Sequence, residues 1–158
     1  MNPSVDDRLN SVLRALHSVV LPALPESANL AREQIMLAMG HIQIIQAQRD
    51  ATPGYEEGER ADIADMARAL LAVAGGGEPS AAARAELETR LADKNGLARE
   101  RAEAVREAID ALLLAAHAGD ERDYHRRLAA AILPLGRARA DKDRGWFAPM
   151  GFDSEKSA

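Results

Sequence analysis

Cysteine is absent from the 158-residue chain. Its absence excludes a disulfide scaffold, a zinc site with thiolate ligands, an iron–sulfur cluster and a cysteine nucleophile. Aromatic residues are scarce as well, at 3% of the sequence. The longest apolar stretches fall short of the ~20 residues that a membrane-spanning helix needs, and the first residues are acidic where a secretory signal would be basic. From these absences we expect a cytoplasmic protein with no membrane partner.

Alanine, leucine, arginine and glutamate dominate the sequence. These side chains lose little rotamer freedom in a helix, and no segment alternates apolar and polar residues as a strand would. The length is typical of one domain. We therefore predict an all-α fold, a single-domain bundle of about five to six helices over residues 1–144, followed by an irregular aromatic tail over residues 145–158. The richness in alanine and arginine is typical of bacteria with GC-rich genomes.

Turn and cap residues divide the bundle into six predicted helices. Ser4 is a predicted N-cap, because Asp7 follows at the spacing of a capping box. Three glycines at 75–77 are expected to end the third helix. We expect Pro134 to kink or end the sixth helix, so that the basic stretch 137–144 forms a separate turn. The predicted helices begin near residues 4, 28, 55, 80, 97 and 120.

The second predicted helix, which follows Ser27 and ends near Ala51, is apolar on every side. Leucine, isoleucine and methionine surround its axis at about 100° per residue. A helix of this kind is typical of a bundle interior or a subunit interface. We expect it to be the core element of the protein.

Gln34, His41 and Gln48 lie at seven-residue intervals and share one narrow stripe of this helix. As a binding site, His41 would contact a ligand, bind a metal or act as a general base, with Gln34, Gln48, Glu59 and Tyr124 lining the pocket. As structure, the stripe would be a polar line that fixes helix register or a dimer seam. The structural interpretation is favoured, because buried polar groups are usually satisfied structural ones.

No motif for a cofactor, a metal or a catalytic residue is present. The sequence lacks a phosphate-binding loop, a His-Glu-x-x-His pair and a calcium loop. A metal site in a helical bundle usually includes Glu-x-x-His spacing, which does not occur here. We therefore predict no catalytic residue, no metal and no cofactor.

The last segment concentrates the few aromatic residues. Trp146, Phe147 and Phe152 are the only tryptophan and both phenylalanines of the chain, and Met150 lies among them. Such residues are the usual anchors of binding pockets. We predict that this interaction tail docks on the bundle, with docking on a partner subunit or another protein as the alternative.

Two functions remain open at this stage. The first is a non-enzymatic helical protein that acts by association as a homo-oligomer, most simply a dimer, with a possible protein partner for the tail. The alternative is a small-molecule-binding bundle, possibly an enzyme, with a pocket around His41. The net charge of −5 disfavours nucleic acid as a partner.

Overall fold

The computed structural model describes residues 3–119 and 121–148. Of these residues 84% are helical and none lies in a strand, which confirms the all-α prediction. Six helices follow one another along this part of the chain, and none of them is both long enough and apolar enough to cross a membrane. The chain divides into two compact units, Met1–Thr52 and Pro53–Ala158. The predicted division into a bundle and a tail at residue 144 stays a prediction.

The first unit is a hairpin of two helices. Helix α1 runs over Val5–Ala15, continues through a π-helical stretch, Leu16–Val20, and ends in a further α-helical turn, Leu21–Ala23. Helix α2 runs over Asn29–Gln48. The predicted cap of α1 is confirmed: the Ser4 hydroxyl accepts a hydrogen bond from the Asp7 amide at 3.1 Å, and the Asp7 carboxylate accepts one from the Ser4 amide at 2.9 Å.

Polar contacts fix the register of the hairpin. One lies near the loop and two lie toward the open end: Arg32 Nη1 to the Leu21 carbonyl oxygen (3.2 Å), Gln46 Nε2 to Asn10 Oδ1 (3.2 Å), and Arg49 Nη1 to Asp6 Oδ1 (2.5 Å). These contacts mark the side of α2 that faces α1.

Helix α2 is not the core that its composition predicts. None of its residues is buried. The physical reason is geometric, since within the hairpin α1 covers one side of α2 only. A helix that is apolar on every side needs neighbours on every side to be buried.

The core lies in the second unit. Its helices are α3 (Thr52–Leu71), α4 (Glu78–Ala92), α5 (Ala98–Ala118) and α6 (Arg122–Phe147). All four helices contribute a leucine that is fully enclosed: Leu70, Leu87, Leu112 and Leu128. Burying a side chain of this size stabilises the fold by about 1.5–3 kcal/mol. The core is therefore shared among four helices.

The three glycines between α3 and α4 form a tight turn against α6. Gly75 and Gly76 have φ of 113° and 93°, which glycine adopts without a steric penalty. A Cβ at Gly76 would lie 2.8 Å from Cε1 of Tyr124. Arg84 donates to the carbonyl oxygens of Leu71 (2.8 Å) and Val73 (3.1 Å), which satisfies the end of α3.

Helix α6 does not end at Pro134. It continues through the basic stretch to Phe147, with Pro134 inside it, so the predicted separate turn is wrong. The helix continues because contacts with α3, described below, hold its second half. Residues 145–147 of the predicted irregular tail are helical, and residues 149–158, which include Met150 and Phe152, lie outside the described residues.

Candidate functional site

The side of α2 that lies opposite α1 is apolar and exposed. Leu30, Leu37 and Ile45 are 70%, 50% and 53% exposed. Gln34 and His41 lie on the same side and are exposed, whereas Gln48 is half-buried. The structure therefore keeps the predicted stripe on one side of the helix but does not enclose it.

The whole hairpin shares this exposure. No residue of the described range 3–52 is buried. Both helices carry large apolar side chains that are at least 39% exposed: Val5, Val12, Val19, Val20, Leu30, Met36, Leu37 and Ile45. We call these eight residues the hairpin apolar surface. Exposed apolar side chains on a monomer are normally scattered singly, and a concentration of them marks an interaction site.

Charged residues are almost absent from helix α2. Between Glu33 and Arg49, α2 has no aspartate, glutamate, lysine or arginine, although 28% of the whole sequence is charged. A helix face that remains in water normally carries such residues, and the centre of an interface is depleted of them. The lack of charge in α2 and the exposure of its apolar side chains thus both favour an interface on this helix.

The other two predicted site residues belong to the second unit, where each has a partner. The Glu59 carboxylate accepts a hydrogen bond from Arg106 Nη2 at 2.8 Å. Tyr124 is 3% exposed, and its hydroxyl accepts a hydrogen bond from Arg84 Nη1 at 2.9 Å. Within the second unit, Glu59 therefore forms an ion pair and Tyr124 contributes to the core. Binding of a ligand by these residues stays a prediction.

The described aromatic residues of the predicted tail differ in their surroundings. The Trp146 ring stacks on Tyr55 of α3, with 4.3 Å between the ring centroids. Phe147 is 43% exposed. Docking of Trp146 on its own unit is thus observed, and binding of a partner by the tail stays a prediction.

A polar cluster that the sequence did not predict lies beside this stack. Arg139 of α6 is only 7% exposed and lies over the Tyr55 ring, with Cζ 4.8 Å from the centroid. It donates to Asp62 at 3.2 Å and to Asp143, and its Nε is buried without a hydrogen-bond partner. Lys142 also donates to Asp62, at 2.6 Å. These contacts attach the second half of α6 to α3.

Burial and charge shift the pKa values within this cluster. Burial raises the pKa of Tyr55 to about 12, and its hydrogen bond with Asp143 acts in the same direction. Burial alone would raise the pKa of Asp62, but the hydrogen bonds from Lys142 and Arg139 outweigh it and lower that pKa. The only sequence signal for the cluster was the i, i+4 spacing of Arg139 and Asp143, which is common on solvated helices.

The histidines at the junction of α5 and α6 form a pair. The rings of His117 and His125 are tilted against each other, with 5.5 Å between their centroids. In residues 3–119 and 121–148, no group of three or more histidine, aspartate or glutamate side chains is placed to hold a metal ion.

The chain was also compared with known proteins. No protein-family model matches the sequence, and no curated protein or solved structure shows significant similarity to it.

Proposed function

We propose that the chain is a non-enzymatic helical protein that acts by association, and that it forms a homodimer through its N-terminal hairpin. The observation that carries the proposal is the hairpin apolar surface: both helices expose large apolar side chains, and no residue of the described hairpin is buried. Apolar side chains gain free energy when they leave water, at about 25 cal/mol for each Å² buried.

The hairpin has little else to stabilise it. Most helix stability in proteins comes from packing of an apolar face rather than from backbone propensity. Its ion pair between Arg49 and Asp6 is about two-fifths exposed, and such surface pairs contribute at most about 1 kcal/mol. A second hairpin would bury these apolar side chains, because two copies present the same apolar surface to each other.

Charge supports a second copy as the partner. The first unit has five acidic residues, at positions 6, 7, 26, 33 and 50, and four basic residues, at positions 8, 14, 32 and 49. Two copies that are each nearly neutral approach without strong repulsion.

Light scattering on the full chain tests the proposal. We expect a dimer mass that falls toward the monomer mass on dilution. Leu37→Glu should shift the chain to monomer, because it places a charge in the interface. The matched control is Leu114→Glu, which changes a leucine that is 67% exposed on α5 of the second unit and should leave the dimer intact.

A wild-type chain that is monomeric at every concentration would refute the proposal. A dimer that survives Leu37→Glu and is lost with Leu114→Glu would assign association to the second unit instead.

We further propose the cytoplasm of a bacterium as the place where the protein acts. The support is compositional: the sequence has no cysteine and is rich in alanine and arginine. Fractionation of the source cells, probed with an antibody against the protein, tests this assignment.

A further inference from the structure

Helix α2 carries two kinds of residue in a seven-residue repeat on the side opposite α1, where all members except the half-buried Ile44 and Gln48 are exposed. The polar members are Gln34, His41 and Gln48, and the apolar members are Leu30, Leu37 and Ile44. Leu37 and Ile44 each follow a polar member by three residues, and every apolar member precedes a polar member by four residues. This spacing is that of the a and d positions of a coiled coil, with the polar residues at a.

The side chains that face α1 lie on the other side of the helix. Arg32 and Gln46 make the contacts with α1, and at about 100° per residue they lie opposite Leu37 and His41. Helix α2 can therefore bind α1 and a further helix at the same time. Gly40 borders the exposed side, and a Cβ placed there would meet nothing within 4 Å.

We infer that this side of α2 pairs with the same side of α2 in a second copy, with the two helices parallel and in register. The inference rests on the proposed dimer and specifies its geometry. In the parallel pair every residue of the repeat faces its own copy. Gln34 meets Gln34, His41 meets His41, and the leucines meet leucines.

Hydrogen bonding of the polar side chains favours the parallel over the antiparallel arrangement. In a parallel pair the amide of Gln34 can donate to and accept from the same amide of the partner. In an antiparallel coiled coil the a positions face d positions, so His41 would face an aliphatic side chain. A polar group that loses water without gaining a partner is destabilising, whereas a matched polar layer specifies register.

The charges along the repeat are compatible with parallel pairing. The positions that flank the seam are Ala31, Glu33, Ala38, Gly40, Ala47 and Ile45. Glu33 is the only charged residue among them, and in a parallel pair it faces Ala38 of the other copy. No like charges oppose each other across the seam, and the small side chains allow the two helices to approach closely.

Single cysteine substitutions test this arrangement, because the chain has no cysteine of its own. Leu30→Cys and Leu37→Cys are each oxidised in the full chain at micromolar concentration. Both should form covalent dimers about a hundredfold faster than Gln43→Cys, since thiols held opposite each other have a millimolar effective concentration. Gln43 is the matched control, being exposed on the same helix but away from the seam. Circular dichroism checks that each variant keeps its helix content.

No antiparallel pair can cross-link at both positions. Seven residues span about 10 Å, so if Leu37 met its own copy, the two Leu30 residues would lie about 21 Å apart. A disulfide requires Cα atoms within about 7 Å.

The outcomes separate the inference from the proposed function. Fast cross-linking at both leucine positions supports the parallel pair. Cross-linking at one position only, or at neither, in a chain that remains dimeric by light scattering overturns the inference and leaves the proposed function standing. A monomeric wild-type chain overturns both.

Discussion

The two units use the same helix-forming residues to opposite effect. In the second unit, α5 buries Val105, Ile109 and Leu112 and exposes Glu103 and Glu107 on its other side. In the hairpin, α2 exposes leucine and isoleucine and has no charged residue over most of its length. The comparison shows that apolar content alone does not make a core. A core forms where several amphipathic helices direct their apolar sides toward one another.

The largest expected effect contrasts a buried leucine with an exposed one. Leu112→Ala should lower the free energy of unfolding of the second unit by about 2–5 kcal/mol, because the fully enclosed side chain leaves a cavity. Leu37→Ala in the hairpin should change it by about 0.5 kcal/mol or less. Urea unfolding followed by the fluorescence of Trp146, the only tryptophan, measures both. Equal losses would mean that the hairpin and the core unfold as one unit.

A second contrast concerns ion pairs within the second unit. Arg139→Ala should destabilise it by about 3 kcal/mol, because the change removes the charged hydrogen bonds of a buried guanidinium with Asp62 and Asp143. Arg126→Ala is the control, since the ion pair of Arg126 with Asp123 is highly exposed and contributes less than about 1 kcal/mol. The same urea experiment applies. If both variants lowered the free energy of unfolding equally little, the cluster around Arg139 would not hold α6 to α3.

Dilution should have the smallest effect on stability, and it should affect the hairpin but not the second unit. If association stabilises the hairpin, a hundredfold dilution weakens it by at most about 2.7 kcal/mol per dimer. Hydrogen exchange of α1 and α2 should therefore accelerate on dilution, while exchange of α5 stays constant. Amide exchange measured by mass spectrometry at two concentrations distinguishes the units. Concentration-independent exchange in α2 would contradict the proposed dimer.

Local features were the most predictable from the sequence. The capping box at Ser4 and the turn of glycines at 75–77 are confirmed by hydrogen bonds and positive φ values. Each depends on residues a few positions apart, so the neighbouring sequence contains the information. The failure at Pro134 has the opposite cause. Proline removes one hydrogen bond from the helix, but the contacts of Arg139 with α3 compensate, and those partners are distant in sequence.

The predicted site shows the same limit. The seven-residue spacing correctly placed Gln34 and His41 on one side of α2. The sequence did not reveal that this side would be exposed, or that Glu59 would pair with Arg106 and Tyr124 would lie in the core. Periodicity identifies the residues that share a face of a helix. The structure that covers this face depends on contacts between distant segments.

The sequence by itself determined that the chain is helical and where several of its helices begin and end, because backbone propensity and capping act over a few residues. Tertiary structure decided which apolar helices became the core. Helices α3 to α6 enclose one another's leucines, whereas α2 has only α1 beside it within the hairpin. Burial is a property of several segments together, and one helix read alone does not contain it.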